Sequence, residues 1–360
     1  MTEKSILEIL KAIKDPATGQ DIVRVGMAQE ISIDKNSVNL TLSLPSLNVS
    51  YKSDLSFACI TVIQSEYPGA EVNIHFKAKS EHATDVAVLP HIKNIIAVAS
   101  GKGGVGKSTI STNLALGLQA LGAKVGLLDA DLYGPSIPTM LGLQGERPPV
   151  QEIYGQHKIV PLEKYGLQVI SIGNIIEPEQ AVVLRGPRLA GIIKQFFLDC
   201  LWEPLDYLVV DLPPGTGDIQ LTMVQTVPLT AVVIVTTPQE VAVVDAVKAM
   251  NMFQLPQINV PILGVVENMT WFTPEELPDN KYYIFGKGGG AKLAQKSNSM
   301  LLGQIPIVQS VREGGDSGRP AILNETSPVY APLKNMAENV ARQLAVRNEL
   351  IEPTKVVHTQ

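Results

Sequence analysis

Gly101-Lys102-Gly103-Gly104-Val105-Gly106-Lys107-Ser108-Thr109 decides the fold of this chain. Its glycine spacing and closing Lys-Ser pair are those of a phosphate-binding loop. The context fits: an apolar run, Ile95-Ile96-Ala97-Val98-Ala99, precedes it and a helix-like run from Ser108 to Leu121 follows, the strand-loop-helix order that a Walker A motif requires. Glycines here let successive backbone N–H groups turn inward and approach an anion closely, while the helix presents the positive end of its dipole. Gly101, Gly103, Gly104, Val105 and Gly106 are therefore expected to form the cradle for ATP. Lys107 is expected against the β- and γ-phosphates, the Ser108 hydroxyl in a Mg²⁺ shell, and Thr109 at the α-phosphate. Lys102, just after the first glycine, has no role within that cradle. It is read as reaching the phosphates held by a neighbouring subunit, where it adds positive charge as negative charge spreads over the transferred group; a solvated loop lysine is the alternative. A second glycine-rich stretch, Gly286-Lys287-Gly288-Gly289-Gly290, is followed by Ala291 and lacks the Lys-Ser pair. It reads as a flexible hinge or turn.

Outward from the loop, fully apolar strands alternate with helices. Lys124 to Asp129, Val169 to Ile172, Tyr207 to Leu212, Ala231 to Thr237 and Ile262 to Val266 read as strands buried on both faces. Pro187 to Leu198, Asp218 to Thr226 and Glu240 to Phe253 read as helices between them. The expected fold is α/β, a doubly wound, mostly parallel P-loop sheet with ligand at the strands' C-terminal ends. A small α+β domain precedes it, with a helix from Lys4 to Ile13, strands at Asp21 to Val25, Glu30 to Ile33 and Val38 to Leu44, a helix from Ser53 to Glu66 and a strand from Glu71 to Phe76. The domain boundaries read as 1–80, a linker 81–94, an ATPase domain 95–350 and a tail 351–360.

Two more motifs fall at strand ends. Leu127-Leu128-Asp129-Ala130-Asp131-Leu132-Tyr133-Gly134-Pro135-Ser136 ends a strand with carboxylates beside the expected phosphates. Asp131 is the candidate for holding the attacking water and Asp129 for the metal's outer shell, since phosphoryl transfer rests on positioning more than on strong base chemistry; a strand-end turn stabilised by aspartates is the alternative. Leu208-Val209-Val210-Asp211-Leu212-Pro213-Pro214-Gly215-Thr216-Gly217-Asp218 ends a strand in a Walker B acid, Asp211, expected to hold a Mg²⁺-bound water. Its prolines stiffen the turn, and Gly215 and Gly217 let backbone approach or leave the γ-phosphate.

Composition bounds the rest. With 45% apolar residues, 18% charged residues and a formal charge of −6 over 360 residues, the chain reads as globular, without the basic surface that nucleic acid demands. Met1 to Glu8 carries acids where a signal peptide needs apolar residues, and no apolar run approaches a membrane span of about 18 residues. A cytoplasmic protein with no nucleic-acid and no membrane partner is expected. Cys59 and Cys200 are the only cysteines, both read as small buried hydrophobes in helix-like stretches. His75, His82, His91, His157 and His358 lack ligand spacing.

The loop with Lys102, the segment Asp129-Ala130-Asp131 with Tyr133-Gly134-Pro135-Ser136, and Asp211-Leu212-Pro213-Pro214-Gly215-Thr216-Gly217-Asp218 together resemble the Mrp/ApbC family. These are P-loop ATPases of the deviant Walker A class that act as iron–sulfur cluster carriers. The N-terminal segment is similar to the small domain often fused ahead of them. The resemblance implies slow ATP hydrolysis used as a switch and a homodimer sandwiching two ATP molecules with Lys102 crossing the interface. It also implies Asn268, in Val266-Glu267-Asn268-Met269, contacting the base, a contact from near Pro306, and apo iron–sulfur proteins or assembly factors as partners.

One departure stands out. Cluster-carrying members typically have Cys-x-x-Cys after the Glu-Asn-Met segment, whereas this chain reads Thr270-Trp271-Phe272-Thr273-Pro274-Glu275-Glu276-Leu277 and later Ile284-Phe285-Gly286. No iron–sulfur ligand is identifiable, and an N-terminal cysteine common in relatives is absent at Pro45-Ser46-Leu47-Asn48. The cluster as cargo therefore rests on resemblance alone. A positioning or partition-type ATPase, acting through protein or surface binding without a cluster, is the alternative. Its membrane-targeting form needs a basic amphipathic C-terminal helix, and Leu333 to Leu344 reads better as packing against the core. A redox ATPase with a cluster between subunits meets the same lack of cysteines.

Overall fold

The computed structural model describes residues 1–16, 20–34, 37–44, 51–78, 89, 91–131, 134–153, 156–175, 186–274, 276–277 and 279–353. The chain divides into two compact units, Met1–Val86 and Ala87–Gln360.

The first unit is a three-stranded sheet with two helices. Helix α1 (Glu3–Leu10) starts at a reciprocal cap between Thr2 and Ser5, which satisfies N–H groups that the first turn leaves without partners. Strands β1 (Ala28–Asp34), β2 (Ser37–Leu44) and β3 (Glu71–Ala78) lie in the order β1-β2-β3, with helix α2 (Lys52–Glu66) between β2 and β3 in sequence. Strand β1 pairs antiparallel with β2, and β3 pairs parallel. Val38, Leu40 and Leu42 alternate inward on β2 and meet Ile6 and Leu10 of α1 and Leu55, Cys59 and Ile63 of α2 in one core. The stretch Asp21 to Val25, expected as a strand, is a turn. The Asp21 carboxylate accepts the Arg24 N–H at 2.7 Å and its carbonyl accepts the Val25 N–H at 3.1 Å, local bonds by which aspartate diverts backbone from a ladder.

The second unit is built on an eight-stranded sheet. Its strands are β4 (Ile92–Ser100), β5 (Val125–Asp129), β8 (Leu162–Lys164), β9 (Leu167–Ser171), β10 (Leu205–Asp211), β11 (Ala231–Thr236), β12 (Ile262–Phe272) and β13 (Met300–Ile307), and a separate hairpin pairs β6 (Val150–Ile153) with β7 (Gln156–Ile159). The sheet order is β13-β12-β11-β4-β10-β5-β9-β8. Every pairing in it is parallel except β8 with β9. Helices α3 (Lys107–Ala120), α4 (Ile137–Leu141), α5 (Gly186–Leu198), α6 (Asp218–Thr226), α7 (Glu240–Phe253), α8 (Gly289–Lys296), α9 (Gln309–Asp316) and α10 (Tyr330–Leu350) complete the unit. Strand β4 shows why its sequence is continuously apolar: Ile95, Ala97 and Ala99 join the core packed by α5, α6, α7 and α8, while Ile96 and Val98 join the core packed by α3 and α10. This is the doubly wound arrangement that the strand and helix order predicts. Chain order leaves β4 toward β5 on one side and β10 toward β11 on the other, so the C-terminal end of β4 opens at a topological switch point.

Helix α10 packs inward as expected, through Leu333, Met336, Ala337, Val340 and Leu344, a stripe at helical spacing. It approaches α3 so closely that a Cβ on Gly117 would lie 2.6 Å from that of Ala337. Among the described residues no helix is long and apolar enough to cross a membrane.

Other expectations need correction. Strand β4 begins at Ile92, inside the stretch 81–94 read as linker. Cys200 lies after α5, in a bridge with Ile159. Strand β12 runs on past Val266 because Met269 turns through the left-handed region (φ 56°) and pairing resumes at Phe272 opposite Ile307. The second glycine-rich stretch is the close-packed start of α8. Gly288 (φ 78°) is its N-cap, a Cβ on Gly289 would lie 2.6 Å from the Pro238 carbonyl oxygen, and one on Gly290 would lie 2.6 Å from the Glu267 Cβ. Gly289 and Gly290 serve close approach, while Gly286 (φ 91°) and Gly288 turn the backbone into the helix as expected.

Candidate functional site

The phosphate-binding loop closes on itself where β4 ends. Gly104 and Gly106 take positive φ (79° and 80°), which only glycine adopts without strain. Gly106 also serves as the N-cap of α3, which carries no acid in its first turn. Its lack of a Cβ has a second cause, because that atom would lie 2.2 Å from the Asn268 side-chain nitrogen. Gly101 is required by packing: a Cβ there would lie 2.0 Å from the Asp245 carbonyl carbon of α7.

A cavity of about 240 Å³ opens at this point. Ser100, Lys102, Gly103, Gly104, Gly106, Lys107, Ser108 and Thr109 line one side, with Asp131, Gly134, Ser136, Met140 and Pro214 opposite. The three sequence motifs thus converge on a single pocket. Val105 faces away into the core at 2% exposure. Leu132 and Tyr133 lie outside the described residues.

The cavity floor is a cluster of charge in low-dielectric surroundings. The Lys107 ammonium sits 2.8 Å from Asp211 Oδ2 and 3.6 Å from Asp131 Oδ2. Asp211, fully buried at the end of β10, also accepts the hydroxyls of Ser108 and Ser111, each at 2.6 Å. Asp129, fully buried at the end of β5, accepts the Ser171 hydroxyl at 2.9 Å and the Asp131 N–H at 3.1 Å. Burial first, and then the neighbouring Asp211 carboxylate, push its carboxyl up to about 8; the Ser171 and Asp131 hydrogen bonds and Lys107 act the other way. Ser108, Asp211 and Asp131 offer the hard oxygen donors that Mg²⁺ takes beside phosphates.

The Pro213–Gly217 turn is fastened beside them. Gly215 (φ 95°) donates its N–H to the Ser100 carbonyl at 2.9 Å, and the Gln220 amide donates to the carbonyls of Pro213 and Gly215 at 2.8 and 3.1 Å. Asn268, expected at the base, is tied to the phosphate-binding loop. It is buried and donates to the Val105 carbonyl at 2.9 Å, so it holds the loop's backbone. Its neighbour Glu267, fully buried, accepts the Gly290 N–H at the start of α8 and the Gln304 amide at 2.8 Å.

Sequence reasoning missed Ser111, Ser171, Gln220 and Glu267. Ser111 carried a readable signal, lying one helical turn beyond Ser108 on the same face. The others are joined to the site only by tertiary approach.

A family profile described as "NUBPL iron-transfer P-loop NTPase" matches residues 91–342, and one described as "Iron-sulfur cluster assembly protein" matches residues 3–76. The chain belongs to the iron-transfer P-loop NTPase family. The iron–sulfur cluster carrier protein of Synechocystis is 42% identical over 349 residues, covering 96% of this chain and 97% of that one. The one from Escherichia coli is 48% identical over 261 residues, 72% of this chain and 69% of that one. Among solved structures, a nucleotide-binding protein in complex with ADP from Archaeoglobus fulgidus is 38% identical with a TM-score of 0.57, covering 68% of this chain and 92% of that one. The Pyrococcus furiosus cell division ATPase MinD, 22% identical over 69% of this chain and 99% of its own, with a TM-score of 0.52, shares the fold. The chain is accordingly a P-loop ATPase, and the pocket is the one its phosphate-binding loop lines.

The cluster side of the family has no counterpart in the cysteines. Cys59 and Cys200 are both buried, and burial pushes each thiol up to about 12, with Asp199 adding to the effect at Cys200. In the segment after Asn268, Phe272 and Tyr282 exchange backbone bonds at 2.9 and 2.8 Å and the Lys281 ammonium lies 4.1 Å from the Trp271 ring centre. Glu276 is exposed, and Glu275 lies outside the described residues.

Proposed function

We propose that this chain is an ATP-hydrolysing carrier that delivers iron–sulfur clusters to apoproteins, working as a homodimer whose nucleotide sites are completed across the interface. The convergence of Lys107, Asp131 and Ser108 on one cavity, with Asp211 buried behind them and bonded to Lys107 and Ser108, carries this reading, with Lys102 on its wall. Gly103, Gly104 and Gly106 with the α3 N-terminus cradle the phosphates, Lys107 moves from its carboxylates onto the β- and γ-phosphates, and Thr109 reaches the α-phosphate. Ser108 and Asp211, with Asp129 behind them, are the residues that would hold Mg²⁺, which would supply positive charge to the transferred phosphoryl group. Asp131 orients the attacking water. Asn268 positions the loop through Val105 and is the residue placed to contact the base. Lys102 enters the partner subunit's site, where such a finger contributes roughly 10³ to 10⁵ in rate.

The rival reading, a positioning ATPase without cargo, shares the phosphate loop. The N-terminal unit, matched over residues 3–76 by the cluster assembly profile, favours the carrier.

Transfer from a loaded donor to an apo-acceptor under anaerobic conditions, with and without ATP, is the test. ATP is expected to accelerate it in wild type and not in Lys107→Ala, which loses nucleotide binding. Lys102→Ala is expected to keep binding and lose hydrolysis; equal loss of binding in both variants removes the cross-subunit role.

A further inference from the structure

The family moves iron–sulfur clusters, yet the described residues contain no group of three or more His, Cys, Asp and Glu side chains placed to hold a metal. Thiolates are the usual ligands of such clusters, and this chain has two cysteines in 360 residues. Neither is available. Cys59 is fully buried on α2 in the core shared with Leu55, Ile63 and Leu40, in the unit Met1–Val86. Cys200 is 7% exposed among Phe197, Trp202 and Leu205, in the unit Ala87–Gln360, with the Leu201 N–H bonded to the Ile159 carbonyl at 2.8 Å beside it.

A metal ligand must be the thiolate. Burial raises both thiols and so opposes the thiolate form in place, adding to the packing that keeps each out of reach of a cluster. A two-fold axis does not rescue the site. It could pair Cys59 with Cys59 or Cys200 with Cys200, but four thiolates require both kinds to meet, each leaving its own packed core. The segment after Asn268 offers no substitute, since it holds no cysteine and carboxylates are poor ligands for soft cluster iron.

We infer that this chain transfers clusters without ligating them through its own side chains: the thiolates throughout the hand-over belong to cysteine-bearing donor and acceptor proteins, on whose complex the nucleotide cycle acts. This rests on the carrier reading. Hand-over is then ligand exchange without redox change. Each iron–thiolate bond broken on the donor is matched by one formed on the acceptor, and each acceptor thiol gives up one proton for the one the released donor thiol takes up.

The full-length protein, alone and anaerobic, is incubated with ferrous iron and sulfide and desalted; a Cys59→Ala/Cys200→Ala variant is compared with it in donor-to-acceptor transfer with ATP. Expected are no retained iron or visible charge-transfer absorbance on wild type alone, and the same ATP-accelerated rate in both proteins. Removing even a group that merely supports a metal ligand costs roughly 10- to 100-fold, so an equal rate is decisive. A stable cluster on wild type alone, or a comparable loss of transfer in a folded variant, overturns the inference. Should the variant not fold, an aromatic disulfide reagent applied to native wild type gives an independent answer: no reactive thiol is expected with or without ATP, and one that reacts like a free thiol in the ATP state overturns it. Wild type that hydrolyses ATP and never accelerates transfer overturns the carrier reading itself.

Discussion

With its ammonium 2.8 Å from Asp211 and 3.6 Å from Asp131, Lys107 neutralises carboxylates that fold into the protein's interior. Removing one partner of a buried pair costs about 3–5 kcal/mol, because the remaining charge stays buried. Lys107→Ala is therefore expected to destabilise the nucleotide-free protein as well as to abolish binding. The loss depends on pH with a definite sign. Asp129 titrates at about 8 in the folded protein, above the unfolded value of about 3.9, so the folded state holds the extra proton between these values and the contribution disappears as pH rises toward 8. Without Lys107 the carboxyl rises further. Urea denaturation should show a wider gap between wild type and Lys107→Ala at pH 8 than at pH 6, and an equal gap would mean that uncompensated carboxylate charge is not the cause.

Gly106 and Asn268 form a second pair that one measurement can resolve. Gly106→Ala incurs about 1–2 kcal/mol for a left-handed alanine and drives its Cβ into the Asn268 amide, 2.2 Å away. Adding Asn268→Ala removes the collision and leaves the backbone cost. A double-mutant cycle on unfolding is expected to give a coupling of about 0.5–3 kcal/mol in the compensating sense; additivity would show that the contact yields freely.

Among the elements, α7 and β12 fix the loop from two sides. The Gly101 Cα faces the Asp245 carbonyl of α7, and Asn268 on β12 takes the Val105 carbonyl. Gly101→Ala needs α7 to shift, and overpacking of this kind costs typically about 1–3 kcal/mol. A fall in Tm with weakened nucleotide binding is expected, and an unchanged affinity would detach α7 from the loop's geometry. These elements also show what could be read in advance. Glu240–Phe253 has the bounds its pattern predicts, because a long periodic run against a core leaves little choice. Met300–Ile307 was missed because Gly303 and Pro306 break the pattern, and the structure places it at the sheet edge, where proline is tolerated. Glu267 could not be assigned because its partner Gly290 is 23 residues away. At the site, Lys107, Ser108 and Asp211 were readable since each closes a strand or opens a helix, and Asp131 since it follows a strand end by two residues; the bond from Asn268 to Val105 spans 163 residues of chain and is set only by the fold.

Across the whole molecule, each unit has a core of its own, as separately folding domains do. A chain begun at Ala87 is expected to keep ATP turnover and to lose cluster delivery, measured side by side with full-length protein; delivery at the full rate would leave the N-terminal unit without a part in it.

The ammonium parked among the carboxylates has one more consequence. It is an internal counterion, occupying the place that a divalent ion would claim, so free magnesium must evict a tethered charge that costs nothing to bring back. The protein should stay indifferent to magnesium salts by themselves and admit the ion only in company with a polyphosphate that draws the lysine aside, which makes arrival of the fuel, and not the ionic background, the event that sets the cycle going.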